Sequence, residues 1–395
     1  MQFEISTTAL SPILGVMSKL IGTKTAMPIL ENVKIFEQNG TYLITATSGD
    51  QETVLTASLP LENVEGFHPL LIPIAQLSQM VRAAEGSIFP LTFKTGTHND
   101  GKAGDHQLCI DYGEGNYQLM YQDVNEYPTI NIGEQSDDIT FPASIVPYFS
   151  QATAFTSNDD LRPIMMNVYF DVRPNGDTRI VATDTKTLYI SRVSEVVATQ
   201  PFSALLKPRT IGLLTNMLVK GGSIRMMRSD KFVTFYIQTP AAEGEMPRTV
   251  CRIDSRLTEG RYPRYEVIMP KNNNSILLDC QKFQKAVDRA SVCASSATGQ
   301  LRFDIVPNQS YLTVKAQDVD FSRNSLTNLE VADGCTNVAS AIAFGLRSEY
   351  LTRCIRAIGT KELNFTFSAP NKACLLNSTD GRTTVLIMPM VLTDI

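Results

Sequence analysis

The chain has 395 residues, of which 43% are hydrophobic and 19% are charged, and its formal net charge at pH 7 is -5. This length allows two to three domains with cores of their own, and the negative charge argues against a protein that grips nucleic acid through one broad basic patch. No stretch reaches the apolar length of a membrane span, and the first residues lack the basic and apolar regions of a signal peptide. We therefore expect a cytoplasmic protein with no membrane partner.

The residues that carry most enzyme chemistry are few or scattered. The seven cysteines are never spaced as CxxC, which argues against a disulfide framework and a zinc site. All three histidines lie in the first third, and no GxSxG, HExxH or GxxxxGK[ST] motif occurs. The paired Asp159 and Asp160 are more typical of a solvated loop or a helix cap than of a metal site. We therefore expect no catalytic residues, no metal and no cofactor.

A predicted helix followed by a strand-like sequence segment recurs six times, as three pairs roughly 130 residues apart. In chain order, the apolar periodicity predicts helices over residues 11–23, 73–86, 142–155, 208–222, 281–294 and 347–360. The second, fourth and sixth helices end near glycine, which favours a left-handed cap. Alternating patterns predict hairpins around Asn39-Gly40, Asn175-Gly176 and Asn308-Gln309. Such short repeats need neighbours to bury their apolar faces, so the copies should pack on one another.

The repeats divide the chain into three similar thirds of α+β class. Loop text near Gly133 and Asn273 separates residues 1–133, 134–272 and 273–395, which we predict to be three domains. The first third is acidic, with 6 basic against 14 acidic residues, whereas the other two are close to balance. Any basic functional surface should therefore be local.

Basic residues recur on five of the six predicted helices. On the fifth helix Lys282, Lys285 and Arg289 lie within about 60° of one another, beside an apolar stripe of Phe283, Val287 and Ala290. Arg353 and Arg356 share one face of the sixth. Ordinary solvent exposure explains the charges of any single helix. Their recurrence favours a shared basic surface that also includes Lys24, Arg82, Arg209 and Lys220.

Five segments carry a resemblance to a known family: KTAMPILENVKI (24–35), RPIMMNVYFDV (162–172), RIVATDTKTLYIS (179–191), DSRLTEGRYPRYEVIMP (254–270) and VLIMPM (385–390). Together they resemble the bacterial sliding clamp, the beta subunit of DNA polymerase III. RLTEGRYPRY and the terminal MPM are the most specific. The segments lie in all three thirds and in the family's order, so the resemblance covers essentially the whole chain.

The resemblance implies a head-to-tail homodimer, with three clamp domains per chain and six in a ring that has helices inside and sheets outside. The implied function is a non-catalytic processivity factor that encircles double-stranded DNA and tethers the replicative polymerase. Phosphate contacts without base contacts are independent of sequence and weakened by salt, so retention would be topological. The DNA-facing residues would be Lys24, Arg82, Arg209, Lys220, Lys282, Lys285, Arg289, Arg353 and Arg356.

The resemblance also implies a hydrophobic groove between the second and third domains. In the family this groove receives short motifs from the polymerase catalytic subunit, the clamp loader and repair proteins. Flexible methionine side chains suit such varied partners. Without the resemblance, the terminal apolar residues would be interpreted as a buried last strand. The groove residues carried over are Met165, Thr183, Leu188, Pro263, Ile268, Leu386, Ile387, Met388, Pro389 and Met390.

The chain departs from the family pattern beside this groove. Thr185, Lys186 and Thr187 stand where Gly-His-Arg is common, and Val391 stands where a basic residue is common. Residues 393–395 extend past the usual end, and we assign no role to the polar loop 96–104. These departures leave the partner preference open. An alternative function is a repetitive α+β interaction scaffold that does not encircle DNA, whose basic helices are ordinary solvent faces.

Overall fold

The computed structural model describes residues 1–22, 25, 27–95, 106–196, 198–241, 246–319, 321–331 and 333–392. Lys24, the loop 96–104 and residues 393–395, all of which figure in the sequence analysis, lie outside the described residues. The described part of the chain contains six α-helices: α1 (Thr7–Ile21), α2 (Ile74–Ala83), α3 (Val146–Thr153), α4 (Pro208–Met217), α5 (Cys280–Ser291) and α6 (Ser348–Ala357).

The strands of the first half of the chain are β1 (Gln2–Ile5), β2 (Asn32–Gln38), β3 (Thr41–Thr47), β4 (Thr53–Ser58), β5 (Glu62–Glu65), β6 (Leu70–Pro73), β7 (Leu91–Thr95), β8 (Gln107–Asp111), β9 (Asn116–Met120), β10 (Ser136–Pro142), β11 (Val168–Val172), β12 (Arg179–Thr183) and β13 (Thr187–Arg192). The strands of the second half are β14 (Phe202–Leu206), β15 (Ser223–Arg228), β16 (Phe232–Gln238), β17 (Thr249–Arg256), β18 (Asn274–Asp279), β19 (Gln300–Ile305), β20 (Tyr311–Asp318), β21 (Arg323–Glu330), β22 (Ile342–Arg347), β23 (Glu362–Phe367), β24 (Cys374–Ser378) and β25 (Thr383–Ile387).

Among the described residues one order of elements, a strand, a helix and three more strands, occurs six times, with β5 as the one addition. This confirms the predicted α+β class and the sixfold recurrence. The helix ends differ from the prediction. Helix α1 begins at Thr7 because the Ser6 hydroxyl caps it, accepting a hydrogen bond from the Ala9 N–H at 3.3 Å. Helix α4 ends at Met217, so Lys220 lies in the following turn and not on the helix.

The predicted turn chemistry is present at the residues that carried it. Asn39 and Gly40 have φ angles of 52° and 75°, the paired positive values that a tight turn between antiparallel strands requires. The longer connection at 173–178 still joins the antiparallel pair β11 and β12. Gly86, Gly221 and Gly359 also have positive φ angles, of 92°, 72° and 75°. They follow the last helical residue by two to four positions, so they redirect the chain after the helix has ended.

Contacts divide the chain into two units. The first combines residues Met1–Val146 and Arg209–Leu257, and the second combines Pro147–Pro208 and Thr258–Ile395. Each unit contains an eight-stranded sheet and a smaller sheet. The strand orders are β10-β15-β16-β17-β4-β3-β2-β6 and β5-β1-β7-β8-β9 in the first unit, and β14-β11-β12-β13-β25-β24-β23-β18 and β21-β20-β19-β22 in the second.

Each eight-stranded sheet consists of two four-stranded halves. In the first unit the halves meet where β17 pairs antiparallel with β4, with Asp254 opposite Val54. In the second they meet where β13 pairs antiparallel with β25, with Leu188 opposite Leu386. The middle third of the chain therefore supplies strands to both units. The predicted domain limits at 133 and 272 follow the repeats and not these contacts, and they stay a prediction.

The helices bury the apolar stripes that the sequence predicted. In α5 the buried residues include Phe283, Val287 and Ala290, and the Phe283 ring lies 6.2 Å from Phe303 and 6.0 Å from Phe365. Full burial of a side chain of this size contributes about 1.5–3 kcal/mol. The polar face of α5 is consequently fixed toward the side away from this core. None of the described helices is both long and apolar enough to cross a membrane.

Candidate functional site: an apolar groove and a basic helix surface

An apolar cluster lies on one face of the eight-stranded sheet of the second unit. Its centre is the cross-strand pair Leu188 and Leu386, whose side chains are only 1% and 3% exposed. We call it the Leu188 cluster, and its buried members are Val181, Leu188, Ile190, Leu205, Tyr262, Tyr265, Ala373 and Leu386.

The segment 258–269 covers this cluster. Tyr262 stacks on Tyr169 of β11, with ring centroids 4.6 Å apart and planes 3° apart. Tyr265 meets the same ring edge-on, and its hydroxyl donates to the Asp171 carboxylate at 2.9 Å. Burial raises the pKa of both Tyr262 and Tyr265, so both hydroxyls stay protonated across the physiological range. The two tyrosine rings therefore cover the apolar cluster, and the hydrogen bond from Tyr265 to Asp171 holds the covering segment in place.

Exposed apolar residues occur next to the buried cluster in sequence. Met388 follows β25 and is 41% exposed, while Ile268 in the covering segment is 58% exposed and Pro263 is also exposed. The Met388 N–H donates to the Lys186 carbonyl at 2.9 Å, which extends the β13 pairing by one residue. Because side chains alternate along a strand, Leu386 and Met388 point to the same face of the sheet. An exposed methionine beside a buried leucine pair is a suitable end for a hydrophobic docking site.

The other groove residues carried over from the family have structural contacts of their own. Ile387 is fully buried and points to the opposite face from Leu386. The Thr183 hydroxyl donates to the Thr187 carbonyl at 2.7 Å. Met165 lies in a 3-10 turn, and its carbonyl accepts from Ser157 at 2.8 Å. Thus the structure brings Leu188 and Leu386 together, while the groove as a complete set stays a prediction.

The partly buried Pro389 and Met390 follow Met388. The Met390 N–H donates to the Gly345 carbonyl at 2.8 Å, so the chain end is tied to β22. A Cβ atom on Gly345 would come within 2.8 Å of the Gln300 amide nitrogen and 3.1 Å of the Met390 carbonyl oxygen. Glycine at this position therefore permits the close approach that fixes the residues after β25.

The turn between β12 and β13 contains the departure from the family pattern. Thr185 has a φ angle of 74°, a left-handed conformation that glycine adopts freely and a β-branched residue does not. The Asp184 carboxylate holds this turn by accepting from the backbone N–H groups of Lys186 at 2.9 Å and Thr187 at 2.6 Å. The loss of glycine here is therefore compensated by hydrogen bonds within the turn.

The tyrosines of the covering segment are the main feature that the residue-by-residue transfer missed. The text YPRY served only to establish the family resemblance, although Tyr262 and Tyr265 contribute more buried surface than Pro263. Two tyrosines in a segment that otherwise lacks strand or helix periodicity were the available signal, since such rings dominate the surface that an irregular segment can bury.

The predicted basic residues differ in whether their charge is already paired. Lys282 forms an ion pair with Glu330 at 3.0 Å, and Arg209 forms one with Asp50 at 2.8 Å. Burial alone would raise the pKa of Asp50, but hydrogen bonds from Ser48 and Glu52 and the Arg209 charge outweigh it and lower the pKa. Both ion pairs are exposed, so each contributes little to stability and reduces the local positive charge.

Arg353 is committed to contacts inside the second unit. Its guanidinium donates to the Ala154 carbonyl at 2.8 Å, the Asp184 carboxylate at 2.5 Å and the Thr187 hydroxyl at 2.7 Å. Its side chain is only 25% exposed. The remaining described members of the set are exposed and have no ion pair with another described residue: Arg82, Lys220, Lys285, Arg289 and Arg356. Within the described residues, no group of three or more His, Cys, Asp and Glu side chains could hold a metal ion.

Comparison with known proteins agrees with this geometry. Residues 266–391 match the family model of the DNA polymerase III beta subunit, C-terminal domain. The beta sliding clamp of Synechococcus elongatus is 24% identical and aligned over 96% of both chains. That of Haemophilus influenzae is 23% identical over 99% of this chain and 100% of its own. A Pseudomonas aeruginosa sliding clamp bound to griselimycin has a TM-score of 0.85 at 18% identity, over 99% of this chain and 100% of that one.

Proposed function

We propose that this chain is a bacterial beta sliding clamp, and that two copies of it close around duplex DNA and hold the replicative polymerase on it. The protein is a non-catalytic processivity factor and not an enzyme. The single observation that supports a closed ring is the regular way in which the half-sheets pair.

The six repeats make six half-sheets, each ending at the last strand of a repeat; five have four strands, and the one that ends at β9 has β5 as a fifth. Strand β4, from the first third, pairs with β17 from the middle third, and β13 from the middle third pairs with β25 from the last. The same rule applied once more pairs β21 of the last third with β9 of a first third. We take that β9 from a second chain, because two such junctions then close a head-to-tail dimer.

Both strands are at sheet edges in the described part of the chain, and both have exposed apolar side chains. Met120 at the end of β9 is 55% exposed, and Leu326 in β21 is 62% exposed. Val292 after α5 and Phe321 before β21 are 71% and 63% exposed. An edge strand leaves a row of backbone N–H and C=O groups unpaired, and exposed apolar side chains beside it favour association with a partner. These edges support a second copy as that partner.

In this arrangement the three thirds 1–133, 134–272 and 273–395 are three clamp domains with their helices toward the DNA. Lys285 and Arg289 on α5 and Arg356 on α6 are the strongest candidates for phosphate contacts, because they are exposed and have no described ion pair. A few such contacts bind any sequence weakly, which permits sliding. The ring topology then supplies the retention.

The proposed partner groove is the surface beside the Leu188 cluster, where Met388, Ile268 and Pro263 are exposed. Its occupants would be short motifs of the polymerase catalytic subunit, of the clamp loader and of repair proteins. We place the protein in the cytoplasm, because bacterial DNA replication and all of these partners are located there. Support for the groove comes from the exposed Met388 next to a buried leucine pair.

Light scattering at micromolar concentration tests the ring first. We expect twice the chain mass of 43.6 kDa. The dimer should then stay on nicked circular DNA through a salt wash and leave the same DNA once it is linearised, since only free ends allow a topological clamp to slide off. A stable monomer, or equal loss from both DNA forms, would favour the open interaction scaffold.

A further inference from the structure

Three arginines lie side by side on the face of the sheet that carries the Leu188 cluster. Arg179 on β12 is directly opposite Arg192 on β13, and the Arg192 N–H donates to the Arg382 carbonyl at 2.9 Å just before β25. The three side chains line a cavity of about 240 Å³. The apolar wall of this cavity consists of Ile190, Tyr265 and Met269.

The two outer arginines of this row are neutralised by carboxylates. Arg179 pairs with Asp177 at 2.7 Å and with Glu266 at 3.1 Å, and the hydrogen bond from Arg179 lowers the pKa of Asp177. Arg382 pairs with Glu195 at 2.9 Å. Like charges directly opposite on a sheet are destabilising, so these carboxylates are needed to hold the row together.

Arg192, the middle arginine, differs from its neighbours. It is exposed and forms no ion pair with any described residue. Asp177 forms its ion pairs with Arg179 and Arg173, and the Arg192 charge acts on it only from a distance. A guanidinium with free donors at the mouth of a cavity can accept a carboxylate through two parallel hydrogen bonds.

The arginine row is continuous with the proposed partner groove. Leu188, Ile190 and Arg192 alternate along β13 and therefore point to one face. Ile190 and Tyr265 belong both to the Leu188 cluster and to the wall of the cavity. The exposed Met388 pairs with Lys186, which is six residues before Arg192 along the strand, or about 20 Å at 3.3 Å per residue. An extended peptide anchored at Met388 would cover this distance with about six residues.

We propose that Arg192 binds an acidic side chain of the partner peptide, about six residues from the apolar anchor that packs on Met388. This inference rests on the proposed function of the groove. The partner class is therefore an apolar peptide motif with an aspartate or glutamate at one flank.

The test uses fluorescein-labelled, C-terminally amidated ten-residue peptides with a Leu-Leu anchor, in which each flanking position in turn carries Asp or Asn. Amidation removes the terminal carboxylate, so any preference must come from the side chain. By fluorescence anisotropy we expect the full-length protein to prefer Asp over Asn about fivefold to tenfold at one position about six residues from the anchor. Arg192→Gln should bring this ratio close to one, and Arg192→Lys should leave part of it.

Two controls separate this inference from the groove itself. Arg261→Gln removes an exposed arginine of the covering segment outside the row and should keep the full preference for Asp. Met388→Ala should weaken the Asp and Asn peptides alike. If Met388→Ala weakens both peptides while Asp gives no gain, or Arg192→Gln retains the gain, the acidic contact is wrong and the groove stands. If no peptide binds, or Met388→Ala has no effect, the groove itself is wrong and the inference is overturned with it.

Discussion

The guanidinium of Arg353 donates a hydrogen bond to the carboxylate of Asp184, joining α6 to the turn between β12 and β13. The same guanidinium lies over the Phe155 ring, 4.9 Å from its centroid. A side chain that the sequence grouped with DNA-facing cations therefore has a partner within its own unit. A contact between Arg353 and DNA stays a prediction, while its contribution to the fold can be tested directly.

Arg353→Ala should destabilise the protein by about 2–3 kcal/mol, because it leaves a largely buried carboxylate and a carbonyl without their charged donor. Arg356→Ala, on the same helix but exposed, is the matched control and should change stability by less than about 0.5 kcal/mol. Urea unfolding followed by circular dichroism measures both. Equal midpoints for the two variants would contradict the structural role of Arg353.

Thr185→Gly should stabilise the turn that Asp184 organises. The φ angle of 74° strains a β-branched residue, and glycine relieves that strain at the cost of a more flexible unfolded chain. We expect a net gain of about 1 kcal/mol. Thermal unfolding of Thr185→Gly beside Thr215→Gly, a substitution within α4 that should destabilise, gives the comparison. A loss of stability in Thr185→Gly would mean that the threonine side chain is needed at this turn.

Lys285→Glu combined with Arg289→Glu should abolish retention on nicked circular DNA while leaving the unfolding transition in place. Both residues are exposed on the polar face of α5, so the change affects charge and not packing. Lys231→Glu with Lys271→Glu makes a similar change in charge outside the helices and should retain DNA. Salt titration of the wash provides the measurement. Retention by the α5 variant equal to that of its control would argue against helices facing DNA.

Asp50→Asn should strengthen DNA binding through Arg209. The lowered pKa of Asp50 keeps its carboxylate charged at neutral pH, so the ion pair cancels the arginine charge. The variant frees that charge, and the slope of log K against log salt should become steeper by about 0.9, the value for one additional phosphate contact. Arg209→Gln in the Asp50→Asn background should reverse the change. An unchanged slope would place Arg209 away from the DNA.

The same pair predicts a pH effect with a definite sign. A carboxyl group whose pKa is lower in the folded state stabilises it above the unfolded value near 3.8, and that stabilisation is lost as pH falls through the lowered value. Asp50→Asn should therefore flatten the acid side of the stability curve below about pH 4, with little change at pH 7 since the pair is exposed.

Local chemistry explains what could be predicted from the sequence. The apolar stripe of α5 and the Asn39-Gly40 turn are set by residues a few positions apart, and both occur where the periodicity and the turn preference placed them. The start of α1 was missed because its cap, Ser6, precedes the apolar pattern. The sixfold recurrence needed only self-similarity along the chain.

The contacts that could not be predicted join residues that are far apart in the sequence. Asp184 lies 169 positions from Arg353, and β17 lies far from its partner β4, so neither pairing leaves a local signal. The tyrosine cover of the Leu188 cluster depends on where an irregular segment folds back. For the same reason the row formed by Arg179, Arg192 and Arg382 is visible only once the strands are in register.

Leu326→Lys should convert the proposed dimer into monomers. The residue is 62% exposed on the edge strand β21, where the pairing rule places β9 of the second copy. A lysine there introduces an unpaired charge into an apolar junction and should weaken association at least tenfold, about 1.4 kcal/mol. Analytical ultracentrifugation over a concentration series measures the effect. Leu161→Lys replaces a leucine that is 90% exposed in a loop and should remain dimeric. If Leu326→Lys stays dimeric at every concentration while Leu161→Lys dissociates, the interface does not include β21. The ring would then have to close through a different pair of strands.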